Sequence, residues 1–336
     1  MEEEVYGVLE NSTVEIESGT AGFAWFWDKG TFGTSVSTYN SLYGVPGSHD
    51  HEEEESVSID LEQFRFDLRA EIREPICFLK NAELRFGIVD YMHTELEGEA
   101  VGTKFDRDGV EARILTVHRP MGIFNGVLGF NYKHNDFAAA GEEAFIPSNK
   151  TSNWALFIIE RTEFNWGSWE YGFRYENQKI NVSETMFSND DESTFNLSTG
   201  LIYNPADEWT AAFSFAFSQR APSATELLAF GPHVATQSFE IGSTILDLEE
   251  AVGLDLSLRK MTGLVTGSVN LFYNTYDNFI FLNELELEEM ETRFGELDTE
   301  GFGVFEYREG EATFYGLEAK GLSTLSIRSE NDFTLL

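Results

Sequence analysis

At 336 residues the chain is long enough for one large domain or two ordinary ones. Asp and Glu number 59 against 22 Lys and Arg, a formal charge of −37. This excludes non-specific nucleic-acid binding, which needs a basic face for phosphates; it fits either attraction of cations to a focused negative surface or simple solvation of acidic loops.

The opening "MEEEVYGVLE" has neither the basic nor the apolar segment of a secretory signal. From about residue 12 onward the sequence alternates with period two, the mark of strands with two unlike faces. Trp25 and Trp27 precede a short turn near 28–30, and a long acidic gap follows near 44–56. Next, Phe64, Phe66, Leu68, Ala70 and Ile72 alternate with Arg65, Asp67, Arg69 and Glu71. Segments near 57–74 and 80–96 far exceed the roughly 5–6 residues of an ordinary strand. They join across a short turn near 74–80 that holds Cys77, the only cysteine, so no internal disulfide is possible. A long gap is expected near 97–103 and a short one near 119–122. Beyond it Phe124, Gly126, Leu128, Phe130 and Tyr132 oppose Asn125, Val127, Gly129 and Asn131.

The rhythm continues with a long gap near 134–150, a short one near 165–168 flanked by Trp166 and Trp169, and a long one near 182–194. A short gap near 204–208 precedes Trp209, Ala211, Phe213, Phe215 and Phe217, which alternate with Thr210, Ala212, Ser214 and Ala216. The long gap at 219–246 contains Ser223 and Glu226, spaced as a capping box over a short helical turn. Turns near 261–264 and 322–324 bracket a strand at 264–282 and a last long gap at 283–311. Short and long connections thus alternate, as in an up-and-down sheet with turns at one end and loops at the other. Outer-membrane barrels are built this way. The tryptophans near the turn end, with Tyr39, Tyr43, Tyr91, Tyr132, Tyr273 and Tyr276 leaning toward the loop ends, read as interfacial aromatic girdles.

The pattern predicts an all-β fold, a transmembrane antiparallel up-and-down β-barrel of about 14 strands, with no helical domain and no interdomain linker. Phe64, Phe66, Leu68, Phe213, Phe215 and Phe217 should face lipid; Arg65, Arg69 and Glu71 should face the lumen.

The segment 218–259, "SQRAPSATELLAFGPHVATQSFEIGSTILDLEEAVGLDLSLR", resembles the TonB-dependent receptors of the bacterial outer membrane. "SLYGVPG" (41–47), "IDLEQFRFDLR" (59–69), "YMHTELEGEAVGTKF" (91–105), "GEEAFIPS" (141–148) and "ATFYGLEAK" (312–320) resemble the same group. The branch containing zinc-uptake receptors is the most similar. The resemblance implies a barrel of about 22 strands with an N-terminal plug domain that couples to the TonB complex. Nothing here matches the plug or its TonB box, so residues 1–336 are expected to form one partial barrel domain that does not transport alone. The acidic stretch 284–300 departs from the family pattern.

"SHDHEEEE" (48–55) is the best ligand-bearing segment: His49, Asp50, His51, Glu52 and Glu53 offer imidazole and carboxylates suited to zinc or a neighbouring metal. The bland alternative is a solvated acidic loop. His233, in "FGPHVAT", is either a deeper ligand or a loop-packing residue. His93 and His134 are weaker candidates at loop-side strand ends, and His118, beside a short turn, reads as structural. No enzyme motif is present: no His-Glu-x-x-His, Gly-x-Ser-x-Gly, P-loop or Cys pair. The expected function is active uptake of a metal ion or metal complex, zinc or an iron complex, with no resident cofactor. Expected partners are outer-membrane lipid, the TonB complex and the cargo. A passive porin and a soluble acidic β-protein are the alternatives.

Overall fold

The computed structural model describes residues 9, 11–46, 57–98, 100–141, 144–184, 188–233, 236, 238–295, 297–299 and 301–323. Almost all of them lie in strands: β1 (Val14–Trp27), β2 (Gly30–Gly44), β3 (Val57–Arg73), β4 (Leu79–Glu97), β5 (Ala100–His118), β6 (Asn125–Ala140), β7 (Asn149–Phe164), β8 (Gly167–Val182), β9 (Asp190–Ala206) and β10 (Trp209–Arg220). The connection after β10 holds α1 (Ala224–Leu228) and the short strands β11 (Phe230–His233) and β12 (Ser238–Ile241). Then come β13 (Glu249–Lys260), β14 (Val265–Glu284), α2 (Leu287–Phe294) and β15 (Gly303–Ser323).

All the strands form a single sheet. From β1 to β10, and on through β13, β14 and β15, each long strand pairs antiparallel with the next. The hairpin of β11 and β12 joins at the loop end, where β12 runs parallel to the start of β15. At about 3.4 Å per residue and a tilt near 40°, the 17 residues of β3 rise about 40 Å, well beyond an apolar band about 25 Å tall.

Residues opposed across a ladder share a face, so the register sorts every side chain. Arg65, Asp67, Arg69 and Glu71 of β3 oppose Val89, Gly87, Arg85 and Glu83 of β4. This face continues through Glu111 and Arg113, Asn131 and Lys133, Asn153, and Arg174 and Glu176, to Ser214 and Asp255. The other face runs through Phe66, Ile88, Leu128, Leu156, Phe173, Leu197, Phe215 and Leu254. Its large apolar side chains stay open, with Leu156 and Leu256 each 53% exposed and Leu317 64%. A soluble sheet would cover that area; a barrel wall leaves it for acyl chains. Phe64 and Phe213 lie on this face as the alternation predicts.

The tryptophans near the turns behave as a girdle. Trp25, Trp27, Trp169 and Trp209 share the apolar face by register. Trp25 packs on Trp27, and Phe164 stacks on Trp166 at 4.8 Å. The tyrosines divide: Tyr132 and Tyr273 share the apolar face, whereas Tyr39, Tyr43, Tyr91 and Tyr276 share the polar one. Position along a strand set the expectation for them, but parity decides the face.

Two expected loops prove structured. The gap near 97–103 is a tight connection: Leu96 pairs with Val101 and Glu97 with Ala100. Gly98 sits there at φ 59, a left-handed value that glycine adopts without strain. The gap at 283–311 is mostly α2 and the upper part of β15.

Candidate functional site

The loop end of the sheet carries a folded cap. Ser223 and Glu226 form the capping box of α1, with the Glu226 amide donating to Ser223 Oγ at 3.3 Å and the Ser223 amide to Glu226 Oε2 at 2.6 Å. Leu227 and Leu228 of α1 pack on Ile180 of β8. A second cluster joins the hairpin to α2 and β15: Phe239, Ile241, Leu285, Met290 and Val304. Charge reinforces both. Arg220 reaches Glu226 at 2.8 Å and Glu249 at 3.2 Å. Arg293 and Arg308 both grip Glu306 and Glu289, fastening α2 to β15.

His233 lies inside this cap. Its ring stacks on Phe145 at 4.4 Å, and its Nδ1 donates to Glu240 Oε1 at 2.7 Å. Glu240 is 2% exposed and also accepts from Tyr307 at 3.1 Å and Ser238 at 3.2 Å. Burial works against the charged form, yet the His233 imidazole, aided by Tyr307 and Ser238, holds the Glu240 carboxyl below its ordinary range. Glu226 is likewise held down by Arg220 and Ser223, against the opposing effect of burial.

Beneath α1 the lumen wall opens into a hollow of about 530 Å³ lined by Arg107, Lys133, Asn153, Arg174 and Glu176, with Ser223 and Thr225 above. Gln178 of the wall donates to the Pro222 carbonyl at 2.6 Å, so cap and wall are directly tied. The wall mixes Arg107, Lys133 and Arg174 with Glu111 and Glu176, and Arg174 is paired with Glu176. The sequence alone missed this cluster, because its members come together only through strand register.

His49, Asp50, His51, Glu52 and Glu53 lie outside the described residues. Among the described residues no group of three or more His, Cys, Asp or Glu side chains is placed to hold a metal ion. His93 stacks on Phe105 at 4.5 Å, and His134 bonds Ser152 at 2.8 Å. His118 pairs with Glu160 at 2.9 Å near the turn end; the two come together across Gly126 of β6, which opposes Glu160.

Residues 11–335 match the family model described as "TonB dependent receptor-like, beta-barrel". Solved structures with the same fold include a copper transporter, OprC, at 12% identity and a TM-score of 0.72, covering 94% of this chain and 51% of that one. The FrpB iron transporter of Neisseria meningitidis aligns at 13% identity and a TM-score of 0.68, covering 93% and 51%. The Serratia marcescens hemophore receptor HasR, solved with its hemophore and heme, aligns at 14% identity and a TM-score of 0.65, covering 91% and 51%. The chain therefore spans about half the length of the structures it matches. With its sheet sorted into an apolar and a polar face, and nearly its whole length matched, the chain belongs to the TonB-dependent receptor β-barrel family of the bacterial outer membrane.

Proposed function

We propose that residues 1–336 form one partial barrel domain, the wall and loop cap of a receptor for active uptake of a metal ion or metal complex, with zinc or an iron complex as cargo. The cap seated on a charged lumen wall supports this reading: it gives a solute approaching from the loop side a folded, polar receiving surface rather than an open pore. The neighbours described as copper and iron transporters and as a hemophore receptor point the same way. His49, Asp50, His51, Glu52 and Glu53 would capture the metal at the loop. His233, with Nδ1 held by the Glu240 carboxylate, would then offer Nε2, the arrangement usual for a metal-binding imidazole. Energy would come from the TonB complex through a plug domain outside this chain. The metal is cargo, not a resident cofactor.

The test is uptake by a receptor-deleted host carrying the full-length protein, supplied with radiolabelled zinc or a ferric chelate. Accumulation that stops when a proton uncoupler is added supports the proposal. Accumulation that persists through the uncoupler means a passive porin and overturns it.

A further inference from the structure

A hollow of about 420 Å³ opens on the outer, apolar face of β5–β8. Two rows frame it: Ile114, Phe130 and Leu156, and beside them Thr116, Leu128, Ile158 and Phe173. No charged side chain lines it. Thr116 Oγ1 donates to the Leu128 carbonyl at 3.2 Å, so the hydroxyl in this wall is satisfied. These strands are central in the sheet, with β1–β4 on one side and β9–β15 on the other. The hollow faces away from the lumen, so neither a plug nor a further strand would fill it. Phe173 stands four residues past Trp169, and Tyr175, opposite Leu156, six. That places the hollow about 10–15 Å up a band about 25 Å tall, near the middle, where acyl chains end.

At the turn end of the same strands lies an apolar hairpin. Met121 pairs with Phe124, and Gly122 turns the chain at φ 66. Paired residues share a face, and the Phe124 ring meets Tyr171 of the apolar face edge-on at 6.4 Å. Met121 and Ile123 are each 60% exposed. Other turns at this end carry Asp28–Lys29 and Asp207–Glu208 instead. The hairpin's base is firmly held. The Arg119 amide donates to the Phe78 carbonyl at 2.9 Å, and its guanidinium pairs with Glu74 at 2.7 Å. His118 Nδ1 donates to the Arg119 carbonyl at 2.7 Å, while Nε2 pairs with Glu160 at 2.9 Å. His118 and Glu160 are both buried. Such a pair in a lipid-facing wall is costly, and here it fixes the base of an exposed apolar turn.

We propose that the outer face of β5–β8 is a binding site for one diacyl phospholipid of the turn-side leaflet, with an acyl chain in the hollow and the hairpin against its headgroup end. The hollow and the hairpin are continuous with the apolar face that meets the bilayer. A void beside a chain forfeits dispersion contacts, and a flexible acyl chain can fill it. The rigid, convex wall of a second copy would instead span it. The inference rests on the assignment of the lipid face and not on the proposed cargo, and lipid binding is measured separately from uptake, so the two can fail independently.

The experiment is native mass spectrometry of the full-length, delipidated protein in detergent, titrated with palmitoyl-oleoyl phosphatidylethanolamine. The expected result is saturable retention of one lipid per receptor. Leu128→Trp, which fills the hollow, should weaken it about tenfold or more, whereas Leu256→Trp, the same change elsewhere on the apolar face, should leave it unchanged. Met121→Ser/Ile123→Ser should also weaken it about tenfold. Heat-modifiable gel migration checks that each variant is folded. Lipid numbers that rise without saturating mean an unspecific lipid annulus and overturn the proposal. A lipid-free dimer, as from a second copy seated on this face, overturns it too, as does wild-type affinity in either folded variant.

Discussion

Phe215 and Ser214 are neighbours on β10 that the register sends to opposite faces. Phe215 opposes Thr199 and Leu254, while Ser214 opposes Gly200 and Asp255. Phe215 stands six residues past Trp209; at about 3.4 Å per residue and 40° of tilt that is about 15 Å, near the middle of a band about 25 Å tall. An arginine there should cost about 2–4 kcal/mol. That lowers the folded-to-unfolded ratio roughly 30- to 900-fold at about 1.36 kcal/mol per decade. In Ser214→Arg the new cation meets water and the Asp255 carboxylate, so the cost should stay within about 1 kcal/mol. Denaturant titration of the full-length protein in lipid vesicles, read by tryptophan emission, measures both. A large loss for Phe215→Arg with little for Ser214→Arg is expected. Equal losses would refute the assignment of faces.

Three further outcomes follow from the same geometry. The folded-state value of Glu240 lies below its ordinary 4.5, so the stability it contributes is present above that pH and is lost as pH falls through the lower folded value. Limited proteolysis within 221–248 should therefore quicken as pH falls below 4.5 while the sheet resists, and Glu240→Gln should quicken it already at neutral pH; unchanged cleavage in both cases would count against the pairing of His233 with buried Glu240 as a fastening of the cap. A Cβ added at Gly126 would sit 2.2 Å from the Ile159 carbonyl and 2.6 Å from the Glu160 carboxyl, so Gly126→Ala should destabilise by about 1–3 kcal/mol, visible as a lower temperature for loss of the compact gel form. Replacing His49 and His51 by alanine should weaken zinc binding in calorimetry, and wild-type binding should itself fade below about pH 6, because imidazole must be neutral to ligate. Unchanged zinc affinity would leave that loop as a solvated acidic segment.

The strands were readable because period two needs no knowledge of partners: Phe64 to Ile72 and Trp209 to Phe217 separate their faces on their own. The capping box of α1 was equally local, as Ser223 and Glu226 lie within one helical turn. What escaped depended on contacts distant in sequence. The Glu97–Ala100 hairpin reads as an acidic loop until Gly98 is seen to turn it. The hairpin of β11 and β12 joins the sheet only through β15, more than sixty residues beyond β12, with Ser238 opposite Gly303. Arg69, Arg85 and Arg113 become a row only once three strands are placed in register. The tyrosines mislead for a related reason, since height along a strand is visible in the sequence near a turn but the lipid or lumen face changes with every residue.

The central claim is that this sheet crosses a bilayer with a lipid side and a lumen side. Spin labels placed singly at residues 210–218, after replacing Cys77 by serine, test it in the full-length protein reconstituted in lipid. Collision with oxygen should peak at 211, 213, 215 and 217, and collision with a water-soluble nickel chelate at 210, 212, 214, 216 and 218. Access to both reagents without alternation, as on a water-exposed sheet, would contradict the account.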